Sequence, residues 1–256
     1  MKLSLVFATA LSSCAMIAAT AFGFSSQAQA FTISGKAVGA WYNPIPDIKN
    51  KFCSNNNTDC KFVTGVGTKS FSWGEPAKNT PPNQPNQLTF IGNSFSANGD
   101  SWFKLGNLEY FNGTIYDDTN IEYVTLNLDL SFGDNNQVSK SLPISFYLEN
   151  TTNLITDNIK DPRNADSIYI NTALAKTSFQ WNQDLYEFEI MGFSQSSPVT
   201  SLSAIESESR NAGLYARVTS RKAVPEPSTI AASLLAGTYL IYRKKFSKLT
   251  AKSSYK

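Results

Sequence analysis

The chain of 256 residues contains no histidine. Histidine is the side chain that most often acts as a general base or a metal ligand near neutral pH. Its absence excludes Ser-His-Asp and Cys-His catalytic arrangements and every metal site that uses imidazole. Most hydrolase mechanisms are excluded with them, so we expect a protein that is not an enzyme.

Cysteine is nearly as scarce, with three residues in the whole chain. Cys14 lies in an apolar N-terminal segment, while Cys53 and Cys60 enclose a short polar loop. In an exported protein these two cysteines are expected to form a disulfide, with a pair of free thiols as the alternative. Without further ligands they cannot complete the tetrahedral coordination of zinc.

Basic residues are sparse in the body of the chain. The formal net charge of +2 is misleading, because eight of the 22 Lys and Arg residues lie from residue 221 onward. Residues 31–220 keep 13 basic against 19 acidic side chains, a net charge of about −6. Such a body has no basic stripe with which to neutralise phosphates, so we expect no nucleic-acid partner.

Long apolar runs are confined to the two ends of the chain. Near the N-terminus, residues 3–21 are almost wholly apolar, and residues 28–30 form a small-x-small cleavage site. This pattern predicts a secretory signal peptide over residues 1–30 and a mature chain that begins at Phe31. Lipidation at Cys14 is the alternative, because the residues before it resemble a lipobox. The residues after Cys14 are apolar, however, where those of a lipoprotein would be polar.

The C-terminal apolar run, residues 228–242, has a proline motif before it and a basic cluster behind it. These flanking groups are Pro225, Glu226 and Pro227 on one side, and Arg243, Lys244 and Lys245 on the other. As a helix the run is about 22 Å long, against a hydrocarbon core of roughly 30 Å. It predicts a short hydrophobic helix that inserts into a thinned bilayer or at a tilt, with the basic cluster on the cytoplasmic side. A core helix of a soluble domain is the alternative.

This tail closely resembles the PEP-CTERM sorting signal. In that family an exosortase, a membrane-embedded processing enzyme, reads the motif, so the resemblance implies that residues 223–256 are a sorting and anchor tail cut near residues 225–227. It also implies export through the inner membrane, a transient membrane anchor and a final place at the cell surface or in a polysaccharide matrix. The tail departs from the family in residues 246–256, which follow the basic cluster.

The hydrophobic pattern of the body has the period of β-strands. Residues 123–132 alternate apolar and polar side chains without exception, and a return strand with Ile144, Phe146 and Leu148 is predicted to begin after Pro143. A helical period is found only at residues 202–210. Many short alternating segments divided by turn residues predict one antiparallel β-sandwich over residues 31–222, jelly-roll-like in its connectivity.

The body also resembles the choice-of-anchor domains, which occur joined to different surface-attachment tails. The resemblance lies in the aromatic and glycine pattern of residues 67–74, 88–95 and 103–114. It implies a β-domain at the cell surface and assigns no chemistry to it.

Large aromatic side chains are the first candidates for a binding site. Five stand in segments rich in loops, namely Trp41, Tyr42, Trp73, Trp102 and Trp181. Rings beside Asn and Asp can form a platform for sugars, which makes a carbohydrate-binding module for exopolysaccharide the alternative to a structural role. For at least three of the five, packing in the core is the competing explanation.

Carboxylates are the remaining candidates for chemistry. Glu187 and Glu189 share one face of a predicted strand, roughly 6–7 Å apart, a separation that overlaps the one used by glycosidases. A solvated polar face is the alternative. Asp157, Asn158, Asp161 and Asp166 place oxygen ligands for calcium in one loop, although their spacing matches neither an EF-hand nor a repeat motif. A polar turn cluster without a bound ion is the alternative, and we expect no other cofactor.

Overall fold

A computed structural model of the protein describes residues 31–53, 60–78, 81–133, 137–153, 158 and 160–221. The described residues form β-strands and two short 3-10 turns, at Asp117–Thr119 and Pro162–Asn164. In chain order the strands are β1 (Thr32–Pro46), β2 (Val63–Thr64), β3 (Ser70–Trp73), β4 (Asn86–Gly92), β5 (Ser94–Asn98), β6 (Trp102–Asn112), β7 (Ile121–Phe132), β8 (Val138–Glu149), β9 (Asp166–Ile170), β10 (Lys176–Trp181), β11 (Asp184–Gly192), β12 (Ser201–Ala204) and β13 (Glu208–Arg221).

The strands form two antiparallel sheets. The first sheet has the order β12-β9-β8-β7-β1-β5, and the second has the order β10-β11-β13-β6-β4-β3-β2. The predicted all-β antiparallel sandwich is confirmed at this level. Because side chains alternate along each strand, every second residue points between the sheets and the others point to solvent.

Strands β7 and β8 confirm the clearest pattern in the sequence. The apolar residues of the alternating segment are all buried, and Leu126 pairs with Ile144 while Val124 pairs with Phe146. The polar residues between them line the outer face of the first sheet. The period of two therefore fixed both the strand and the direction of its side chains.

The predicted start of β8 was wrong, because Pro143 lies inside that strand. It pairs with Asn127 of β7, whereas β9 pairs with β8 only between Phe146 and Glu149. None of the described strands pairs with the other edge of β8 at Pro143. A residue without an amide hydrogen is tolerated at such an edge.

The helical period at residues 202–210 was also misleading. Strand β12 occupies its first part, where Leu202 pairs with Ile168, and β13 begins at Glu208, which pairs with Asn112. Ser207, with φ 61°, lies at the turn between them. Pairing with two different sheets overrides a local period this short.

Aromatic rings join the two sheets. Phe132 of β7 stacks on Phe179 of β10, with ring centroids 4.1 Å apart, and meets Phe188 of β11 edge to face at 5.9 Å. Across the interior, the ring centroids of Trp41 in β1 and Phe71 in β3 are 6.4 Å apart. The core therefore extends along the whole length of the sandwich.

The predicted disulfide between Cys53 and Cys60 is confirmed. The two residues also form an isolated antiparallel bridge and pack, half-buried, against the core. The bond therefore lies at the edge of the core of the sandwich.

Both predicted transport segments lie outside the described residues. These are the signal peptide with Cys14, and the tail with its proline motif, hydrophobic helix and basic cluster. In the part of the chain that the structure describes, no helix is both long enough and apolar enough to cross a bilayer.

Candidate functional site

Three tyrosines form a row across the outer face of the first sheet. Tyr123 of β7 pairs with Tyr147 of β8, which pairs in turn with Tyr169 of β9. Their ring centroids are 5.3 Å and 5.9 Å apart, and the interplanar angles are 45° and 35°. Tyr147 and Tyr169 are each 37% exposed. We call these three residues the tyrosine row.

The local sequence dictates that these rings point outward. Tyr147 lies between buried Phe146 and Leu148, and Tyr169 lies between buried Ile168 and Ile170. In a half-buried strand the outward positions usually carry polar residues. Sequence reasoning missed the row, and the signal that could have found it is tyrosine at the outward positions of neighbouring strands.

Glu149 fixes the hydroxyl end of the row. The Tyr169 hydroxyl donates a hydrogen bond of 2.7 Å to Oε2 of Glu149. This bond is the main cause that raises the pKa of Tyr169, while partial burial, followed by the charges of Glu149 and Glu122, raises the pKa of Tyr147. These two hydroxyls therefore stay protonated and can donate hydrogen bonds at neutral pH.

A polar strip continues from the row along the outer face of β7 and β8. In it Ser141 donates a hydrogen bond of 3.0 Å from Oγ to Oδ1 of Asn127. The strip ends in a shallow depression of about 460 Å³. Among the residues that line the depression are Lys36, Asp129 and Lys140. From Tyr123 to Asp129 the face is about 20 Å long.

Two of the predicted sugar-binding tryptophans were wrongly assigned, because Trp41 and Trp73 lie in the core. Both are almost completely buried, and their indole Nε1 atoms donate hydrogen bonds of 3.0 Å to the Lys69 carbonyl and to Oδ1 of Asn120, respectively. Trp73 is stacked between other core rings. A ring enclosed in this way cannot offer a face to a ligand.

The other two tryptophans are half-buried and lie apart from the tyrosine row. Trp102 begins β6 opposite Arg217 of β13, in the second sheet. Trp181 ends β10 and packs against the core, with its ring beside Gly133. Neither makes a ring pair with another aromatic side chain of the described residues. Their sugar binding stays a prediction, and Tyr42 is exposed on β1.

The carboxylates of Glu187 and Glu189 do share one face of β11, as predicted. Glu189 accepts a hydrogen bond of 2.9 Å from Nη2 of Arg217 on β13, and Glu187 forms an ion pair with Arg221 of the same strand. Each carboxylate is thus engaged by an arginine of the neighbouring strand. This arrangement is typical of a polar sheet face.

The two described carboxylates of the predicted calcium loop, Asp161 and Asp166, have different surroundings. Asp157 lies outside the described residues, and Asp161 is occupied by Arg163, which donates to it from Nε at 2.9 Å and from Nη2 at 2.8 Å. These bonds lower the pKa of Asp161 to about 2. Asp166, in contrast, points into the protein and is buried. No group of three or more acidic or cysteine side chains among the described residues is placed to hold a metal.

Comparison with known proteins adds no family to this description. No protein-family model matches the chain, and no curated protein is significantly similar to it. Its function is therefore inferred from the geometry of the sandwich and from the patterns at the two ends of the sequence.

Proposed function

We propose that the chain is an exported, non-enzymatic surface protein whose β-sandwich binds polysaccharide along the tyrosine row. The row carries the proposal, since it places three adjacent aromatic rings on a rigid, solvent-facing sheet. Aromatic faces pack against the apolar faces of sugar rings, and tyrosine hydroxyls bond the sugar hydroxyls. The polar strip beside the row extends the surface over the length of several sugar units.

The scaffold supports this function because it holds the rings before any ligand arrives. Each tyrosine belongs to a strand that is paired on both sides at that position, and Glu149 fixes one hydroxyl. Little side-chain freedom is lost when a ligand stacks on such rings, which favours affinity.

The charge around the row favours a neutral glycan. After partial burial, which is the largest cause, the charges of the Glu149, Glu122 and Asp47 carboxylates raise the pKa of the Tyr147 hydroxyl. An anionic polysaccharide would be repelled by the same carboxylates, whereas neutral sugars can accept or donate hydrogen bonds there. We therefore expect neutral polysaccharides to bind more tightly than uronic-acid polymers.

Replacing Tyr147 by alanine tests the row directly. We expect the variant to bind a neutral polysaccharide about tenfold more weakly, because the central ring loses both its stacking and its buried area. Affinity electrophoresis of the full-length chain against a panel of neutral and acidic polysaccharides measures this. The matched control is Tyr116→Ala, since Tyr116 is similarly exposed, at 38%, but lies outside the row. Equal weakening in both variants, or no binding by the unaltered chain, would refute the proposal.

The export and cellular location of the protein are part of the same proposal. The disulfide suits an oxidising compartment, and the two ends of the sequence have the pattern of transport signals. We infer removal of residues 1–30, transient anchoring of the short C-terminal helix in the membrane, and cleavage near residues 225–227 by an exosortase-type enzyme. A jelly-roll-like, choice-of-anchor type of domain is then displayed in the extracellular matrix or at the cell surface.

Mass spectrometry of the protein recovered from cells tests this processing. The mature chain is expected to begin at Phe31 and to end near residues 225–227. Changing Pro225 and Pro227 to alanine together is expected to leave the tail attached and the protein in the membrane fraction. An intact C-terminus at Lys256 in the unaltered protein would contradict the processing, and would leave the polysaccharide site untouched.

A further inference from the structure

A cluster of polar side chains is buried between strands that meet from both sheets. Asn112 ends β6, Asp166 begins β9, Glu206 follows β12 and Asn153 follows β8. Asn112, Asp166 and Glu206 are each 1% exposed or less. Asn153 is half-buried, but its Oδ1 atom is enclosed. Enclosing such oxygens is costly unless each of them finds a partner. We call these four residues the oxygen cluster.

Hydrogen bonds join the oxygen cluster to its surroundings and fix each side chain. Asn153 donates from Nδ2 to Oε1 of Glu206 at 2.8 Å, and Thr114 donates from Oγ1 to Oε2 at 2.7 Å. The backbone amide and the hydroxyl of Thr151 both donate to Oδ1 of Asp166 at 2.8 Å. Asn112 donates from Nδ2 to the carbonyl of Ala204, the residue paired with Asp166, at 2.9 Å.

Each carboxamide nitrogen thus donates a hydrogen bond, whereas three oxygens of the cluster have no partner. The unpartnered atoms are Oδ1 of Asn112, Oδ1 of Asn153 and Oδ2 of Asp166, and all three are buried. All are acceptors. None of the ion pairs among the described residues involves Asp166 or Glu206. The cluster is therefore short of positive charge.

The electrostatics of the neighbourhood agree with this shortage. Burial is the main cause that raises the pKa of Asp166 to about 7, and it also raises the pKa of Glu206. The charges of both carboxylates contribute to the raised pKa of buried Tyr110, after burial itself. Both carboxylates therefore lie near the same hydroxyl, in surroundings that penalise uncompensated negative charge.

We propose that the oxygen cluster is a binding site for a hard divalent cation of the size of calcium. Calcium takes six to eight oxygen ligands from carboxylates, carboxamides, carbonyls and water. The three unpartnered oxygens and the Glu206 carboxylate are ligands of that class, and two negative charges balance the ion. Zinc and other softer metals are disfavoured because the site offers no nitrogen or sulfur. Magnesium is disfavoured because it requires a near-ideal octahedron and retains several waters.

The site is independent of the tyrosine row. It shares only Asp166 with the calcium loop predicted from the sequence, and its other ligands come from three separate segments. Its two carboxylates are too few to stand out as an acidic cluster. The two carboxamides supply the remaining ligands of the site, and their unpartnered oxygens are the observation that indicates an ion.

Calcium titration of the full-length chain, after removal of metals with EDTA, tests the proposal. At pH 8 we expect 10 mM CaCl₂ to raise Tm by about 5 °C or more, given the millimolar or tighter affinity typical of extracellular calcium modules. Magnesium chloride at the same concentration is expected to give a much smaller rise. Calorimetric titration with CaCl₂ alone should show one site for each chain.

Asp166→Asn and Asn112→Ala are the test variants, and Asp129→Asn, on the exposed outer face of β7, is the matched control. Each test variant is expected to weaken calcium binding at least about tenfold, while the control binds as the unaltered chain does. If one variant fails to fold, the other decides. The proposal would be overturned if the unaltered chain showed no heat of binding and no rise in Tm. It would also be overturned if both test variants folded and bound calcium as tightly as the unaltered chain does. Polysaccharide binding by the metal-free chain distinguishes this failure from failure of the tyrosine row.

Discussion

Replacing Trp41 by alanine is expected to lower the free energy of unfolding by about 3–5 kcal/mol. The Trp41 ring is completely buried. Its centroid lies 5.1 Å from that of Phe146 in its own sheet and 6.4 Å from that of Phe71 in the opposite sheet. Truncation removes these contacts, opens a cavity and leaves the Lys69 carbonyl without the hydrogen bond from the indole. A loss of this size is a large fraction of the stability of a typical domain.

Urea unfolding followed by circular dichroism measures the change. Tyr147→Ala serves as the comparison, because that ring lies on the surface and its loss should cost less than about 1 kcal/mol. The two variants together separate the roles of aromatic residues in this chain, since one is expected to lose stability and the other to lose binding. A Trp41→Ala variant as stable as the unaltered protein would show that this ring is not part of the core.

The sandwich could be predicted from the sequence because its central strands are buried on one face only. In β7 the alternation of Leu126, Leu128 and Leu130 with polar residues admits one period and one orientation. The pairing of the strands could not be predicted in the same way. Strand β12 joins β9, and β13 joins β6, because of contacts between residues far apart in the sequence.

The tyrosine row and the misassigned tryptophans have a common explanation. A single ring in a sequence does not reveal which face of a sheet it occupies unless its neighbours alternate clearly. Trp41 follows Gly39 and Ala40, small residues that leave the period uncertain, whereas Tyr147 stands between two large apolar residues. The alternation at Tyr147 therefore held enough information to place the ring outside.

The oxygen cluster lay beyond sequence reasoning because its members come from four distant segments. The hydrogen bonds from Asn112 to Ala204 and from Thr114 to Glu206 each span 92 residues. Only the meeting of β6, β9 and β12 brings them together. Asp166 could be recognised as a possible ligand, but the partners predicted for it were neighbours in the loop, and one of these, Asp161, is occupied by Arg163.

In the absence of divalent cations, the protein is expected to lose stability as the pH rises from about 4.5 to 8. The pKa of Asp166 is raised from 3.8 to about 7 in the folded protein, mainly by burial. Between these two pH values the folded state holds a proton that the unfolded state has released. The stabilisation is therefore complete at a pH below the unfolded pKa, and it is lost as the pH rises through the folded pKa. The difference amounts to at most about 4 kcal/mol. Glu206 acts in the same direction, since its pKa is raised as well.

Within the described part of the chain, the charged and titratable groups that act on Asp166 are Glu206, Glu149 and Tyr110, and none of them offers a compensating cation. Asp166→Asn should therefore flatten the pH dependence and make the protein more stable than the unaltered chain at pH 8, because a neutral carboxamide costs less to bury and can donate to the oxygens beside it. Urea unfolding in EDTA at pH 4.5, 6 and 8 measures both effects, and Asp129→Asn should retain the original dependence. Stability that rises over this range, or a slope unchanged by Asp166→Asn, would mean that the buried carboxyl remains ionised in the folded state and finds its compensation within the protein itself.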